Sequence, residues 1–268
     1  MTVMSSRRYA LSLIVLSLVS FSAASIEAHK NSEDLAGSAP IRVGTILHNP
    51  PYVTENPSSG IDLDTIRTVY GSIGREVAFV HAPLSRVELL LKSGQIDAMT
   101  TVGTQKSQCV DSDIFGYWHD GISVPRLSSI KVMSVADLKG LTVGLFPGAE
   151  TVLTQQLSPH AEGFADRITI YSTDLAVKML AYERIDAYIG DVWGLEYAYQ
   201  ELSAKGEVDT GEQKPFFTAV YFEPTPRRLC FRDNSQMAQF NDALNLAKTS
   251  GALKNLPAPR TPRPSHRQ

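Results

Sequence analysis

Cysteine is scarce: Cys109 and Cys230 are the only two in 268 residues, far apart and without a C-x-x-C spacing. Two such residues do not make a metal site. The chain also lacks G-x-S-x-G, H-E-x-x-H and a Walker loop, so the commonest hydrolase, metalloprotease and nucleotide-binding readings have no motif to rest on. Its six histidines are scattered without ligand spacing. Neither charge dominates, with 25 basic and 28 acidic side chains, so there is no electrostatic footprint for nucleic acid or an anionic membrane. The longest apolar run, Ala10 to Ala24, is about fifteen residues, short of the roughly twenty that cross a bilayer.

That run follows Arg7 and Arg8 and is followed by small residues around Ala24 to Ala28. This is the pattern of a signal peptide over residues 1–28. With no cysteine after the apolar run, a lipid anchor is not expected, and the mature chain is expected free in the periplasm. Removing 1–28 takes away Arg7, Arg8 and Glu27 and leaves a net charge of −4. In an oxidising compartment an even cysteine count favours a disulfide; two buried free thiols are the alternative.

Residues 29–40 (HKNSEDLAGSAP) are polar and read as a mobile arm, and 257–268 (PAPRTPRPSHRQ) as a disordered, extended tail. Between them two stretches repeat one grammar. IRVGT (41–45), the helical spacing of GIDLDTIRTVYGSIG (60–74), EVAFV (76–80), the helix SRVELLLKSG (85–94) and IDAMT (96–100) form the first. LTVGL (141–145), PGAETVLTQQL (147–157), ITIYS (168–172), TDLAVKMLAYE (173–183) and IDAYIGD (185–191) form the second. Alternating strands and helices of this kind specify right-handed crossovers and parallel sheets. Each Ile-Asp-Ala is then the third strand of a βαβαβ unit, and Asp97 and Asp186 are expected to tie the preceding turn. Ser172 or Thr173 caps the helix over 173–183. The segment after 215 gives two β-rich runs and a helix from Ser235, with Met237, Phe240, Leu244 and Ala247 on one face and Gly251 at its end.

In this order the motifs resemble the bacterial extracellular solute-binding proteins of family 3, the polar-amino-acid ABC transporter type. IRVGT with PPYV, LKSGQIDAMTT, SVADLKGLTVGLFPGAET, LAYERIDAYIGD and FRDNSQMAQFNDALNLAKTSGALKNL carry the likeness across residues 41 to 256. The resemblance implies a type II periplasmic-binding fold: α/β, two βαβ-based lobes around a cleft. Lobe one is discontinuous (41–125 and 222–256) and lobe two continuous (126–221). It also places Cys109 and Cys230 in lobe one, near the hinge.

Parallel sheets aim their strand ends and following helix N-termini at such a crevice. The candidate anion site is therefore Gly148, Ala149, Glu150 and Thr151, with Gly148 letting the backbone approach a ligand; Glu150 alternatively favours only the helix dipole. By resemblance Asp191 holds a ligand ammonium group; an N-cap of the next helix is its competing role. Tyr52, Tyr117 and Trp118 are candidates for stacking on a ligand, or ordinary rim aromatics. Asn49 and Thr101 complete the candidate ligand-binding set. Family members that bind amino acids carry a carboxylate-gripping arginine in a T-x-x-R segment. Here the chain reads TTVGTQKSQCVDSD, and Lys106 is the only nearby cation, a point charge without a bidentate fork. Arg86 is the other candidate cation, with a solvated arginine as the alternative.

The resemblance thus implies a non-catalytic periplasmic receptor, without cofactor or metal. It would be a monomer that closes on a small polar solute, an amino acid or related compound, for the permease of an ABC importer in the inner membrane. Two alternatives use the same fold: a dehydratase of cyclic acids with Glu150 as general acid, and an adaptor presenting its ligand to a membrane sensor.

Overall fold

The computed structural model describes residues 39–102, 109–208 and 213–256. The first repeat runs β1 (Ile41–Thr45), α1 (Ile61–Gly71), β2 (Val77–His81), α2 (Leu84–Lys92) and β3 (Ala98–Val102). Short strands β4 (Val110–Asp111), β5 (Gly116–Trp118) and β6 (Asp120–Pro125) lead into the second repeat. That repeat is β7 (Thr142–Leu145), α3 (Ala149–Val152), α4 (Thr154–Leu157), β8 (Asp166–Thr169), α5 (Thr173–Ala181) and β9 (Ala187–Asp191). The chain continues through α6 (Val192–Ala204), β10 (Phe216–Tyr221), β11 (Thr225–Phe231) and α7 (Asn234–Ser250). In each repeat the first strand pairs in parallel with the other two, as helical crossovers require.

Two sheets result, in strand orders β2-β1-β3-β11-β4 and β10-β6-β9-β7-β8, with β5 also paired to β11. Helices cover both faces of each. In lobe one, Ile66 and Val69 of α1 and Phe240, Ala243, Leu244 and Ala247 of α7 pack on one face of the sheet, while Val87 and Leu91 of α2 join Ile96 on the other. Lobe two repeats the arrangement around Ile122, Val143 and Ile189 and around Val177, Leu180 and Leu195. Burying each of the larger of these side chains contributes about 1.5–3 kcal/mol, which is what orients the amphipathic helices.

The two aspartates of the repeated tripeptide have one role. Asp97 Oδ2 accepts the Arg42 amide at 2.8 Å and Asp186 Oδ2 the Thr142 amide at 2.8 Å, each at the foot of the repeat's first strand. Ser172 caps α5 by accepting the Leu175 amide at 3.1 Å, and Asp233 caps α7 through the Gln236 amide at 2.9 Å.

Three expectations need correction. The chain crosses between sheets at His119, so residues 120–125, read from sequence as part of lobe one, lie in the second sheet. The reason is burial: every residue of β6 is buried, with Ile122 and Val124 in the lobe-two core, and the Asp120-Gly121 pair in the sequence marks the crossing. The helix expected over 147–157 is two single turns, interrupted at Leu153 with φ −105° and ψ 33°. Finally, Cys109 and Cys230 are bonded as expected, with Cα atoms 5.6 Å apart, and it is their place that differs. They lie within lobe one, but at the β4 end of β11 and away from the segments that cross between the sheets, because β11 meets β4 at Cys230 and β5 at Thr225.

Candidate ligand-binding site

The two lobes meet where β9 ends. Asp191 closes that strand and caps α6, its Oδ1 accepting the Trp193 amide at 3.1 Å and its Oδ2 the Gly194 amide at 3.0 Å. Oδ1 also accepts the Tyr52 hydroxyl at 2.9 Å, a bond from one lobe to the other. Tyr52 reaches it from the β1–α1 loop, which folds back on itself through paired backbone bonds between Asn49 and Val53 at 2.8 and 3.0 Å. The Tyr52 ring is stacked 6.3 Å from Trp193 at 15° and lies 5.9 Å from Trp118. With Val53 and Leu63 these rings form a small apolar cluster at the junction.

Under that cluster lies Arg227 of β11, only 2% exposed. It pairs with the buried Asp62 of α1, and its guanidinium sits 4.5 Å from the Trp118 ring centre and 4.9 Å from that of Tyr52. Burial pushes the Asp62 carboxyl up to about 6 against the pull of the Arg227 charge.

Asp120 faces Asp191 across the β6–β9 register. It is 3% exposed, and its Oδ2 has no hydrogen-bond partner among the described residues. Burial pushes its carboxyl up to about 6. Asp191 is pushed up to about 7 by burial first and by the Asp120 charge second, while the Tyr52 hydroxyl and the two capping amides pull it down. Two carboxylates side by side disfavour joint ionisation, so they titrate as a pair.

A cavity of about 510 Å³ opens against this pair. His48, Asn49 and Pro50 line it from lobe one, and Trp118 and Asp120 from the crossing. Lobe two supplies Phe146 and Pro147, the 170–174 turn with the start of α5, Tyr188, the α6 face bearing Tyr197 and Glu201, and Lys205 just past the end of α6. Its size suits a metabolite-sized solute.

No family profile matches the chain, and no curated protein does. Solved structures do. The probable amino-acid ABC transporter extracellular-binding protein ytmK from Bacillus subtilis superposes with a TM-score of 0.65 at 16% identity, over 81% of this chain and 96% of that one. An ancestral arginine-binding protein bound to arginine gives 0.63 at 22%, over 82% and 96%. A histidine kinase sensor domain with similarity to periplasmic binding proteins gives 0.64 at 18%, over 81% and 93%. This chain has a periplasmic-binding-protein-like fold. Two lobes joined by two crossing segments, with the cavity between them, are the features of that fold visible here.

Within this periplasmic-binding-protein-like frame, the residues expected from sequence separate into groups. Asn49, Trp118 and Asp191 line the cavity, and Tyr52 is buried behind Asp191. Asp191 also caps α6, the second role that the sequence offered for it and one compatible with holding a ligand. Tyr117, the neighbour of Trp118 on β5, is 47% exposed. The 148–151 turn lies just past the lining residues Phe146 and Pro147. Glu150 is at the surface, paired with Arg167 at 2.8 Å, and not in the cavity wall. Gly148 has φ +83° with nothing within 4 Å of a Cβ built on it. Its left-handed backbone, and not a close approach, is what calls for glycine. Arg86 is exposed on α2, and Thr101 is buried with its hydroxyl on the Arg228 carbonyl at 3.1 Å. Neither lines the cavity. Lys106 lies outside the described residues.

Sequence reasoning missed Asp62, Asp120, Trp193 and Arg227. For Arg227 a signal existed: in TPRRLCF it alternates in phase with Leu229 and Phe231, both fully buried, and so belongs to the inward face. Among the described residues the one grouping of metal-ligand types is Cys109, Asp111 and Cys230, and its two sulfurs are joined to each other.

Proposed function

We propose that the protein is a receptor that takes a small polar solute, an amino acid or a related compound, between its lobes. The observation that carries this is the cavity itself: it draws walls from both lobes and the crossing, and these include a carboxylate pair and aromatic side chains. A solute touching both lobes would favour the closed arrangement, and that differential contact is what drives hinge closure. The Cys109–Cys230 bond suits an oxidising compartment and supports a periplasmic location behind a cleaved leader. We place the protein as a non-catalytic monomer that delivers its solute to an inner-membrane ABC permease. The likeness to a kinase sensor domain supports a second role, in which the loaded form is presented to a membrane sensor.

Thermal denaturation of the secreted chain against a metabolite panel tests the reading. A specific ligand at 100 times its Kd raises stability by about 2.7 kcal/mol. A panel of amino acids, amines and small acids that leaves the melting temperature unmoved would refute the receptor reading. Conversion of a cyclohexadienyl acid to product would refute the non-catalytic part.

A further inference from the structure

Among the described residues the fold gives the Asp120 backbone a role and leaves its side-chain Oδ2 without a partner. Its carbonyl accepts the Phe222 amide at 2.9 Å, fastening one crossing segment to the other. Its carboxylate is withdrawn from solvent, has an unpartnered oxygen, lines the cavity and stands beside Asp191. An unpaired buried carboxylate is strongly disfavoured, and a second one alongside makes it worse. Lobe one meets the same difficulty at Asp62 by supplying Arg227. At Asp120 the described residues supply no cation, and the open side is the cavity.

We propose that Asp120 and Asp191 together anchor the ammonium or guanidinium group of the ligand, and that this ligand is a small organic cation without a carboxylate. The proposal deepens the receptor reading and rests on it. Lone pairs are available: Asp191 Oδ2 accepts one amide and Asp120 Oδ2 accepts nothing, while each carboxylate oxygen can take about two donors. Trp118, Tyr188 and Tyr197 line the same cavity, and aromatic faces attract organic cations. The rest of the wall argues against a ligand carboxylate. Asp174 and Glu201 add two more acidic groups, and the one lysine among the described lining residues, Lys205, has Glu201 at 3.8 Å. Arg227 is already paired with Asp62 and covered by the Tyr52 and Trp118 rings. Among the described lining residues a ligand carboxylate therefore meets mostly like charge.

Two matched pairs of compounds test this, agmatine against arginine and cadaverine against lysine, since the members of each pair differ only by the carboxylate. Calorimetry on the secreted chain at pH 7.5 should show at least one amine binding ten-fold or more tighter than its amino acid. Asp120→Asn should weaken that amine ten-fold or more while folding normally, and Glu150→Gln, outside the cavity, should leave it unchanged. An amino acid binding as tightly as its amine overturns the ligand class and leaves the receptor reading intact, as does a neutral or anionic solute binding where no amine does. Undiminished amine binding by Asp120→Asn overturns the paired anchor and marks Asp120 as a carboxyl that stays protonated. If no solute of any charge binds, the receptor reading falls with the proposal.

Discussion

The two repeats can be compared atom by atom. In both, the aspartate of Ile-Asp-Ala accepts an amide at the foot of the first strand, from Arg42 in lobe one and Thr142 in lobe two. In both, that first strand carries a glycine, Gly44 or Gly144, on which the isoleucine of the tripeptide packs: a Cβ there would collide with Ile96 in one case and with Ile170 and Ile185 in the other. The likeness ends at the strand exits. Thr100 and Thr101 of lobe one turn inward, their hydroxyls on Thr45 and on the Arg228 carbonyl, whereas β9 ends on Asp191 in the cavity wall. Lobe one neutralises its buried acid with Arg227; among the described residues lobe two offers Asp120 no such partner. One scaffold used twice thus holds two electrostatic designs, a balanced lobe and a charged one.

The largest effect is expected from unbalancing lobe one. Arg227→Ala leaves Asp62 buried without its partner and should cost about 3–5 kcal/mol, read by urea denaturation. Arg227→Met with Asp62→Leu should recover most of the loss, because an apolar pair of similar volume removes the stranded charge. The shared scaffold is tested next. Gly44→Val and Gly144→Val should each destabilise by about 1–3 kcal/mol through overpacking, and a large effect in one lobe only would mean that the two cores are not equivalent.

The pH dependence sharpens the contrast in charge. Asp120 and Asp191 have folded values raised to about 6 and about 7 from an ordinary 3.8, so between roughly pH 4 and 7 the folded state binds more protons than the unfolded chain. Their contribution is present at low pH and is lost as pH rises through that window. Asp97 behaves oppositely: burial pushes its carboxyl up, but the hydrogen bonds and charge of Arg42 outweigh it and hold it low. What Asp97 contributes is present above its unfolded value and lost as pH falls through its lower folded value. Melting curves should therefore show stability falling from pH 4 to 7, and Asp120→Asn should flatten that slope; an unchanged slope would remove Asp120 from the account. The smallest effect is expected at the lobe junction, where Tyr52→Phe loses one hydrogen bond and should cost about 1 kcal/mol and raise the Asp191 pKa further.

The fold was legible because it is local grammar repeated. The periods of α1, α2, α5 and α7, the strands between them and the echo of Ile-Asp-Ala all read from neighbouring residues. The junction was not, because its groups are brought together by register and not by spacing. Asp120 meets Asp191 only once β6 lies antiparallel to β9, and Arg227 meets Asp62 only once the last strand returns beside β3. Glu150 shows the converse error. A helix start after a β-strand points at the crevice in general, but here Arg167 draws the side chain to the surface.

The Cys109–Cys230 bond joins positions 121 residues apart, and β6 through β10, the whole second sheet, lie between them. Topologically the charged lobe is the bight of a covalent loop, and the sulfurs are its neck. A loop of this length removes about 4–5 kcal/mol of chain entropy from the unfolded state. The gain goes to the lobe at the neck, where β3, β4 and β11 are held in register, while the bight keeps its own freedom to open. A protease that cuts anywhere in the bight yields two fragments that remain one molecule until the neck is reduced.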